Sequence, residues 1–216
     1  MSGAALESSN KEVREWVVEY FGERKGCLWE LGAFDGETDS ITRSLLSRQQ
    51  AQWSGMLVEG NCHNYNKASR LYSGNDNVLV VHSVIGVTNC IATWWDGGEG
   101  SQESTTEKAH ADHAPARLAE MGISLEYKIG IVGVLSVASL WKWWQDSGRA
   151  LVDLVVCDLE GGSEQIVGEL VKAGCFPEVI VVEAASPVSR LEDAGYRVAM
   201  RVHPDIVYIN NQTDGQ

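Results

Sequence analysis

Residues 28–36, Leu28-Trp-Glu-Leu-Gly-Ala-Phe-Asp-Gly36, run from a short apolar stretch into a glycine turn with acids at 30 and 35, and a helical pattern follows. Glycine at 32 and 36 lets the backbone turn sharply and lets a ligand approach without a Cβ in the way. The helix expected next would offer its unpaired N–H groups to the same crevice. The stretch therefore reads as a cradle for a nucleotide-type cofactor, with Glu30, Gly32, Ala33, Phe34, Asp35 and Gly36 as its candidate residues. Neither the Gly-x-Gly-x-x-Gly fingerprint of dinucleotide sites nor the Gly-Lys-Ser/Thr of a phosphate loop is present. Glu30 and Asp35 would repel pyrophosphate oxygens, so the guest that suits them has a cationic end and no phosphate. S-adenosylmethionine, which carries a sulfonium and an ammonium, is such a guest.

A second acid supports this reading. Trp53-Ser-Gly-Met-Leu-Val-Glu59 reads as a buried strand that ends on Glu59, 23 positions beyond Gly36. In open parallel sheets an acid at the end of the second strand, about 20 residues past the glycine turn, accepts hydrogen bonds from the ribose hydroxyls of an adenosine cofactor.

Outward from this core the chain alternates apolar strands with amphipathic helices, which predicts a parallel, helix-covered sheet. Asn10 is expected to cap a first helix over 11–21, with Val13, Trp16, Val17 and Tyr20 on one stripe. Helices are predicted over 38–50 and 64–72, and a β-branched strand over 78–85. The pattern then breaks. From Trp94 to about Tyr127 only a short helix at 114–121 is legible, and a stretch of that kind inside a compact domain suggests a functional lid. The reading is one domain, residues 1–216, with an insertion over the crevice at about 94–128. Order returns with a strand from Gly130, a helix at 137–146, a strand at 151–158, a helix at 164–173, a strand at 178–183 and a helix at 186–194. Two closing strands, 196–202 and 205–210, suggest an antiparallel hairpin.

A net charge of −13 argues against a nucleic-acid partner, because sequence-independent affinity for phosphates comes from clustered Lys and Arg. No basic start, apolar leader or run of membrane-spanning length is visible, so a cytoplasmic protein is expected. The five cysteines form no Cys-x-x-Cys pair and read as reduced core thiols.

Asp153-Leu-Val-Val-Cys-Asp-Leu-Glu-Gly-Gly-Ser-Glu164 resembles the Asp-x-Glu-Gly-x-Glu signature of FkbM-like methyltransferases. Glu30-Leu-Gly-Ala-Phe-Asp-Gly-Glu-Thr38 resembles their first motif, Asp-x-Gly-Ala-Asn-x-Gly, with Glu30 and Phe34 in place of the usual Asp and Asn. Val58-Glu-Gly-Asn61 is similar to their Val-Glu-Pro-Asn, with Gly60 for the proline, and Val81-His-Ser-Val-Ile-Gly86 to their third strand. Val181-Val-Glu183 and Leu191-Glu-Asp-Ala-Gly-Tyr196 complete the likeness, which covers residues 27–210 except for 87–128. It implies a class I Rossmann-like fold: a mostly parallel seven-stranded sheet, helices on both faces, an antiparallel C-terminal hairpin, and methyl transfer from S-adenosylmethionine to a hydroxyl.

Methyl transfer is an in-line displacement at a carbon already activated by sulfonium, so positioning matters most, and a base is needed only for a weakly acidic hydroxyl. In that scheme the turn residues 32–36 hold the methionine end, with Glu30 near its ammonium. Glu59 and Gly60 meet the ribose, His82 or Ser83 the adenine rim. Asp158 and Glu160, just past the fourth strand of the core, face the acceptor as candidate catalytic residues, with Asp158 also near the cofactor. A helix-start pair that caps N–H groups is the competing reading for these two. His110 and His113, with Asp112 between them, share a helix face as metal ligands would, but spacing places no third ligand, and no metal is expected. His203 is a minor base candidate. The tryptophans at 94, 95, 141, 143 and 144 flank the insertion; core packing is expected for at least two, and an exposed indole suits a sugar ring. A carbohydrate or small hydroxylated molecule is the expected acceptor. The competing functions are a nicotinamide-dependent oxidoreductase and a non-catalytic binding module on the same fold.

Overall fold

The computed structural model describes residues 3–47, 53–99 and 101–211, and for residues 3–9 the backbone alone. Helix α1 spans Gly3–Phe21, and strand β1 follows at Cys27–Leu31. After it come α2 (Arg43–Leu46), β2 (Ser54–Glu59), α3 (Cys62–Leu71), β3 (Val78–His82) and β4 (Val84–Gly86). The middle of the chain supplies β5 (Cys90–Asp96), α4 (Lys108–Glu120), β6 (Lys128–Ser136) and α5 (Val137–Asp146). The last third holds β7 (Leu154–Cys157), α6 (Ser163–Lys172), β8 (Val179–Glu183), α7 (Ser189–Asp193), β9 (Tyr196–Val202) and β10 (Asp205–Asn210).

Seven strands form the main sheet in the order β3-β2-β1-β7-β8-β10-β9. The first five are parallel, and β10 runs antiparallel to both β8 and β9. This is the expected architecture of a mostly parallel seven-stranded sheet closed by an antiparallel C-terminal hairpin. Strands β1, β7 and β8 are apolar and buried almost throughout, as strands covered on both faces must be. Side chains alternate between two cores: Trp29, Leu31, Met56 and Val155 pack under α5, α6 and α7, while Leu28, Leu57, Leu154 and Val156 pack under α1 and α2. Trp29 meets Trp141 and Trp144 of α5 edge-on, with ring centroids 5.8 and 5.4 Å apart, so two of the flanking tryptophans are core residues as expected. Among the described residues no helix is long and apolar enough to cross a membrane.

Several elements depart from the sequence reading. Helix α1 begins before Asn10, which lies inside it rather than at its cap. Of the helix expected at 38–50 only Arg43–Leu46 is helical, and residues 48–50 lie outside the described residues. The single strand expected over 78–85 splits at Ser83, because β3 pairs with β2 whereas β4 pairs with β6 in a second sheet. That sheet, ordered β4-β6-β5, takes in the strand expected from Gly130 and only Trp94–Asp96 of the stretch expected to be irregular, where α4 is the main regular element. Helix α4 starts seven residues before Pro115, which it carries in its interior. A proline reads from sequence as a first-turn residue, so the expected start at 114 was displaced. Three cysteines are core thiols, but Cys62 and Cys90 are exposed. Both sit at the first position of their element, on the side away from the core.

Candidate active site

At the carboxyl ends of β1, β2, β7 and β8 lies a cleft of about 670 Å³. The strand order reverses here: the chain steps from β1 outward to β2 and β3, then returns to the other side of β1 with β7. Open α/β sheets bind their ligands at such a point, because the loops leaving neighbouring strands diverge to opposite faces. Of the residues singled out from the sequence, Glu30, Gly32, Ala33, Phe34, Glu59, Gly60, Ser83, Asp158 and Glu160 line the cleft. Asp35, Gly36 and His82 do not.

The reasons are local. Asp35 turns its carboxylate onto its own loop, accepting the N–H groups of Glu37 and Thr38 at 3.0 and 2.7 Å and the Thr38 hydroxyl at 2.8 Å. Gly36 has φ +77°, and a Cβ there would stand 3.0 Å from the Tyr72 ring, so this glycine accommodates α3 rather than a ligand. His82 lies flat on Tyr65 with ring centroids 4.9 Å apart. Gly32 also serves the protein itself. With φ +87°, it brings the β1 turn so close to the segment after β7 that a Cβ would fall 1.9 Å from the carbonyl oxygen of Asp158. No helix follows the turn directly, since α2 begins only at Arg43 and the intervening residues fold irregularly, with Phe34 and Asp39 at positive φ.

Two carboxylates anchor the β1–β2 side. Glu30 is buried and accepts the hydroxyls of Ser40 at 3.0 Å and Thr42 at 2.6 Å. Burial pushes its pKa up to about 7 even against these donors. Glu59 takes the Phe34 N–H at 2.8 Å and the Asn61 N–H at 2.7 Å, which fixes the cradle loop to the end of β2. Burial raises it to about 7 as well, opposed by those backbone donors. Gly60, where the resembling family has proline, leaves room for the insertion: a Cβ there would meet Val84 at 2.9 Å and Trp94 at 3.2 Å. Asn64 lines the cleft, and its side-chain oxygen is buried without a hydrogen-bond partner.

The opposite wall is acidic. Asp158 and Glu183 follow the last matched residues of neighbouring strands β7 and β8, and their side chains hydrogen-bond. Burial first, then the Asp158 charge, raises Glu183 to about 9, so it holds the proton and donates to Asp158. Asp158 opens onto the cleft yet is ringed by protein, and this raises its pKa too. Burial, with the charges of Glu103 and Asp158, lifts Glu160 to about 8.

Residues between Trp94 and Arg117 also line the cleft. Asn61, which caps α3, donates through its side chain to Asp96 at 2.9 Å and to Ser104 at 3.0 Å. Thr105 bridges to Trp95 through its backbone and donates its hydroxyl to the Glu160 carbonyl at 2.6 Å. These contacts bring Glu103, His110, Arg117 and Trp94 to the cleft. His110 does not act with His113. The latter is exposed, Asp112 pairs with Lys108 at 2.6 Å, and His110 turns instead to Glu103 and Glu160. His203 also reaches the cleft lining.

Sequence reasoning did not single out Ser40, Thr42, Asn64, Glu103 or Arg117. The hydroxyl residues of Glu37-Thr-Asp-Ser-Ile-Thr42 offered a signal, since a buried strand-end acid needs donors nearby. Glu103 had none: a lone acid in a polar loop looks like any solvated residue.

No family model matches the chain, and no curated protein matches it. Among solved structures it is similar to Aeropyrum pernix fibrillarin in complex with S-adenosyl-L-methionine, with 13% identity, 87% of this chain covered and a TM-score of 0.45. The match spans 66% of that chain. It is also similar to magnesium protoporphyrin IX methyltransferase from Synechocystis PCC 6803 with bound S-adenosylmethionine, at 10% identity, covering 95% of this chain and 78% of that one, with a TM-score of 0.47. A methyltransferase from Aquifex aeolicus matches at 12% identity over 91% of this chain and 87% of its own, with a TM-score of 0.40.

Proposed function

We propose that this chain is an S-adenosylmethionine-dependent methyltransferase of FkbM-like type that methylates a hydroxyl on a small molecule or sugar. The observation that carries the reading is the cleft at the strand-order reversal, with Glu30 and Glu59 at the ends of adjacent strands β1 and β2 on one wall, and Asp158 and Glu160 on the other. Its volume falls in the range of about 300–1,000 Å³ usual for cofactor sites. The unpartnered Asn64 oxygen is an acceptor that an adenosine donor group would satisfy. Nine carboxylate residues line the cleft against one arginine and two histidines, which suits a cationic cofactor and disfavours a phosphate-bearing one. When bound, S-adenosylmethionine supplies a methyl group activated by its sulfonium.

The chain's own residues then have distinct tasks. Glu59 takes the ribose hydroxyls through oxygens already aligned by the Phe34 and Asn61 N–H groups. Glu30, held by Ser40 and Thr42, faces the ammonium end, whose positive charge favours its ionised form. Gly32, Ala33 and Phe34 form the floor between them, while Asp35 and Gly36 shape that floor from outside it and His82 braces the Gly60 carbonyl. Ser83 and Gly60 border the adenine side. Asp158, which accepts the Glu183 proton, keeps a negative charge at the acceptor end and draws a hydroxyl proton toward itself. Residues 94–128 act as a cap that keeps water from the cleft, and Trp94 offers an indole surface to the acceptor.

Calorimetric titration with S-adenosylhomocysteine tests the cofactor assignment. Saturable binding is expected, weakened at least about tenfold by Glu59→Ala, the equivalent of about 1.4 kcal/mol. Absence of binding at millimolar ligand, in protein shown to be folded, refutes it. Release of tritiated methyl onto sugars or hydroxylated small molecules separates an enzyme from a binding module.

A further inference from the structure

The geometry points to a divalent-cation site at the acceptor end of the cleft, formed by Glu103, His110 and Glu160. One ligand atom from each lies within 4.8 Å of the other two. The His110 Nε2 is 2.9 Å from Glu103 Oε2 and 3.3 Å from Glu160 Oε2. Around a cation with bonds of about 2.1 Å, two donors at a right angle stand about 3.0 Å apart, so the two spacings from His110 fit neighbouring ligands of one ion.

The three donors come from three pieces of chain: the loop after β5, helix α4 and the segment after β7. Contacts that involve none of the donor atoms hold these pieces together. The Thr105 hydroxyl donates to the Glu160 carbonyl, and Gly161 packs so tightly on Glu107 that a Cβ would stand 2.7 Å from its side chain. All three side chains are at most 25% exposed, which shields an ion without sealing it from the cleft. Arg117, which also lines the cleft, donates to both Glu103 oxygens at 2.7 and 2.8 Å and so fixes that carboxylate's orientation. The Tyr127 hydroxyl is buried without a hydrogen-bond partner in the field of Glu103 and Glu160, so a cation there would offset the negative charge it faces.

One imidazole with two carboxylates selects Mn²⁺, Zn²⁺ or Fe²⁺ over Ca²⁺, which prefers oxygen alone, and over Cu⁺, which prefers sulfur. Once Glu160 is ionised, the two carboxylates outnumber the single guanidinium of Arg117, so a divalent ion is welcome. Three protein donors leave positions open toward the cleft for an acceptor hydroxyl, whose pKa the ion lowers. This last role rests on the methyltransferase reading; the ion site itself does not.

Mn²⁺ titrated calorimetrically into metal-free, full-length protein, with Mg²⁺ and Zn²⁺ in parallel, tests the site. One saturable Mn²⁺ site is expected, with Mg²⁺ weaker. His110→Ala and Glu160→Gln each weaken Mn²⁺ binding about 100-fold or more, while His113→Ala on the same helix leaves it unchanged. Lack of saturable Mn²⁺ and Zn²⁺ binding overturns the site, as does binding that both variants retain. Pulsed electron paramagnetic resonance of Mn²⁺ in the unaltered protein covers the case of a misfolded variant: ¹⁴N coupling from a histidine ligand is expected, and its absence overturns the assignment. Glu59→Ala is expected to bind S-adenosylhomocysteine at least about tenfold more weakly and to keep Mn²⁺, so failure of the ion site and failure of the cofactor reading are told apart.

Discussion

Gly32 shows how a residue chosen for one reason is required for another. From sequence its missing Cβ reads as room for a ligand, whereas the structure sets it against the Asp158 carbonyl, joining the turn after β1 to the segment after β7. Gly32→Ala has to displace backbone and adopt a positive φ, so it is expected to destabilise the protein by roughly 3 kcal/mol or more. Urea denaturation measures this, and a variant within about 0.5 kcal/mol of the parent would contradict the close approach. Glu30 was legible as a strand-end acid, but its partners were not. Ser40 and Thr42 lie 10 and 12 residues away, across an irregular turn whose path depends on positive φ at Phe34 and Asp39.

At the scale of elements, periodicity located most strands and helices because each buries one face or both. Helix α5 illustrates it. Trp141 and Trp144 point into the core against Trp29, while Trp143 between them is 46% exposed. Trp141→Ala is expected to lose about 3–5 kcal/mol of stability, as large-to-small changes in a packed core do. Trp143→Ala should stay within about 1 kcal/mol of the parent. Chemical denaturation of the two variants side by side checks the orientation of the helix; equal losses would be inconsistent with it. The second sheet was not legible. Its strand β5 pairs along its length with β6, more than 30 residues later, and its Ile91, like Ile129 and Ile131 of β6, is over 70% exposed, so no buried face marked it. What fixes this sheet is long-range pairing and the contacts of Asn61 and Thr105, which short-range patterns do not carry.

The whole molecule concentrates acids in one cleft, and that concentration governs its response to pH. Glu30 and Glu59 are raised to about 7 and Glu160 to about 8 by burial, against an ordinary value near 4.5. Between these limits the folded protein binds more protons than the unfolded chain, so stability falls as pH climbs from about 4.5 toward 8. The ligand-free protein is therefore expected to melt on the order of a few °C higher at pH 6 than at pH 8 at constant ionic strength. Glu30→Gln, which removes one of these groups, should narrow the difference. Differential scanning calorimetry checks both, and a melting temperature that rises from pH 6 to pH 8 would contradict the raised acids. The sequence by itself determined the parallel sheet, the turn after β1 and the acids that end strands β1, β2 and β7, because burial periodicity and strand-end chemistry are written locally. Only the tertiary structure decided which acids share one cleft, that Glu183 stands beside Asp158, and that Glu103, His110 and Glu160 converge. Those relations arise from strand order and from the folding back of residues 94–128, which join residues such as Glu30 and Glu160, 130 positions apart, that no local spacing connects.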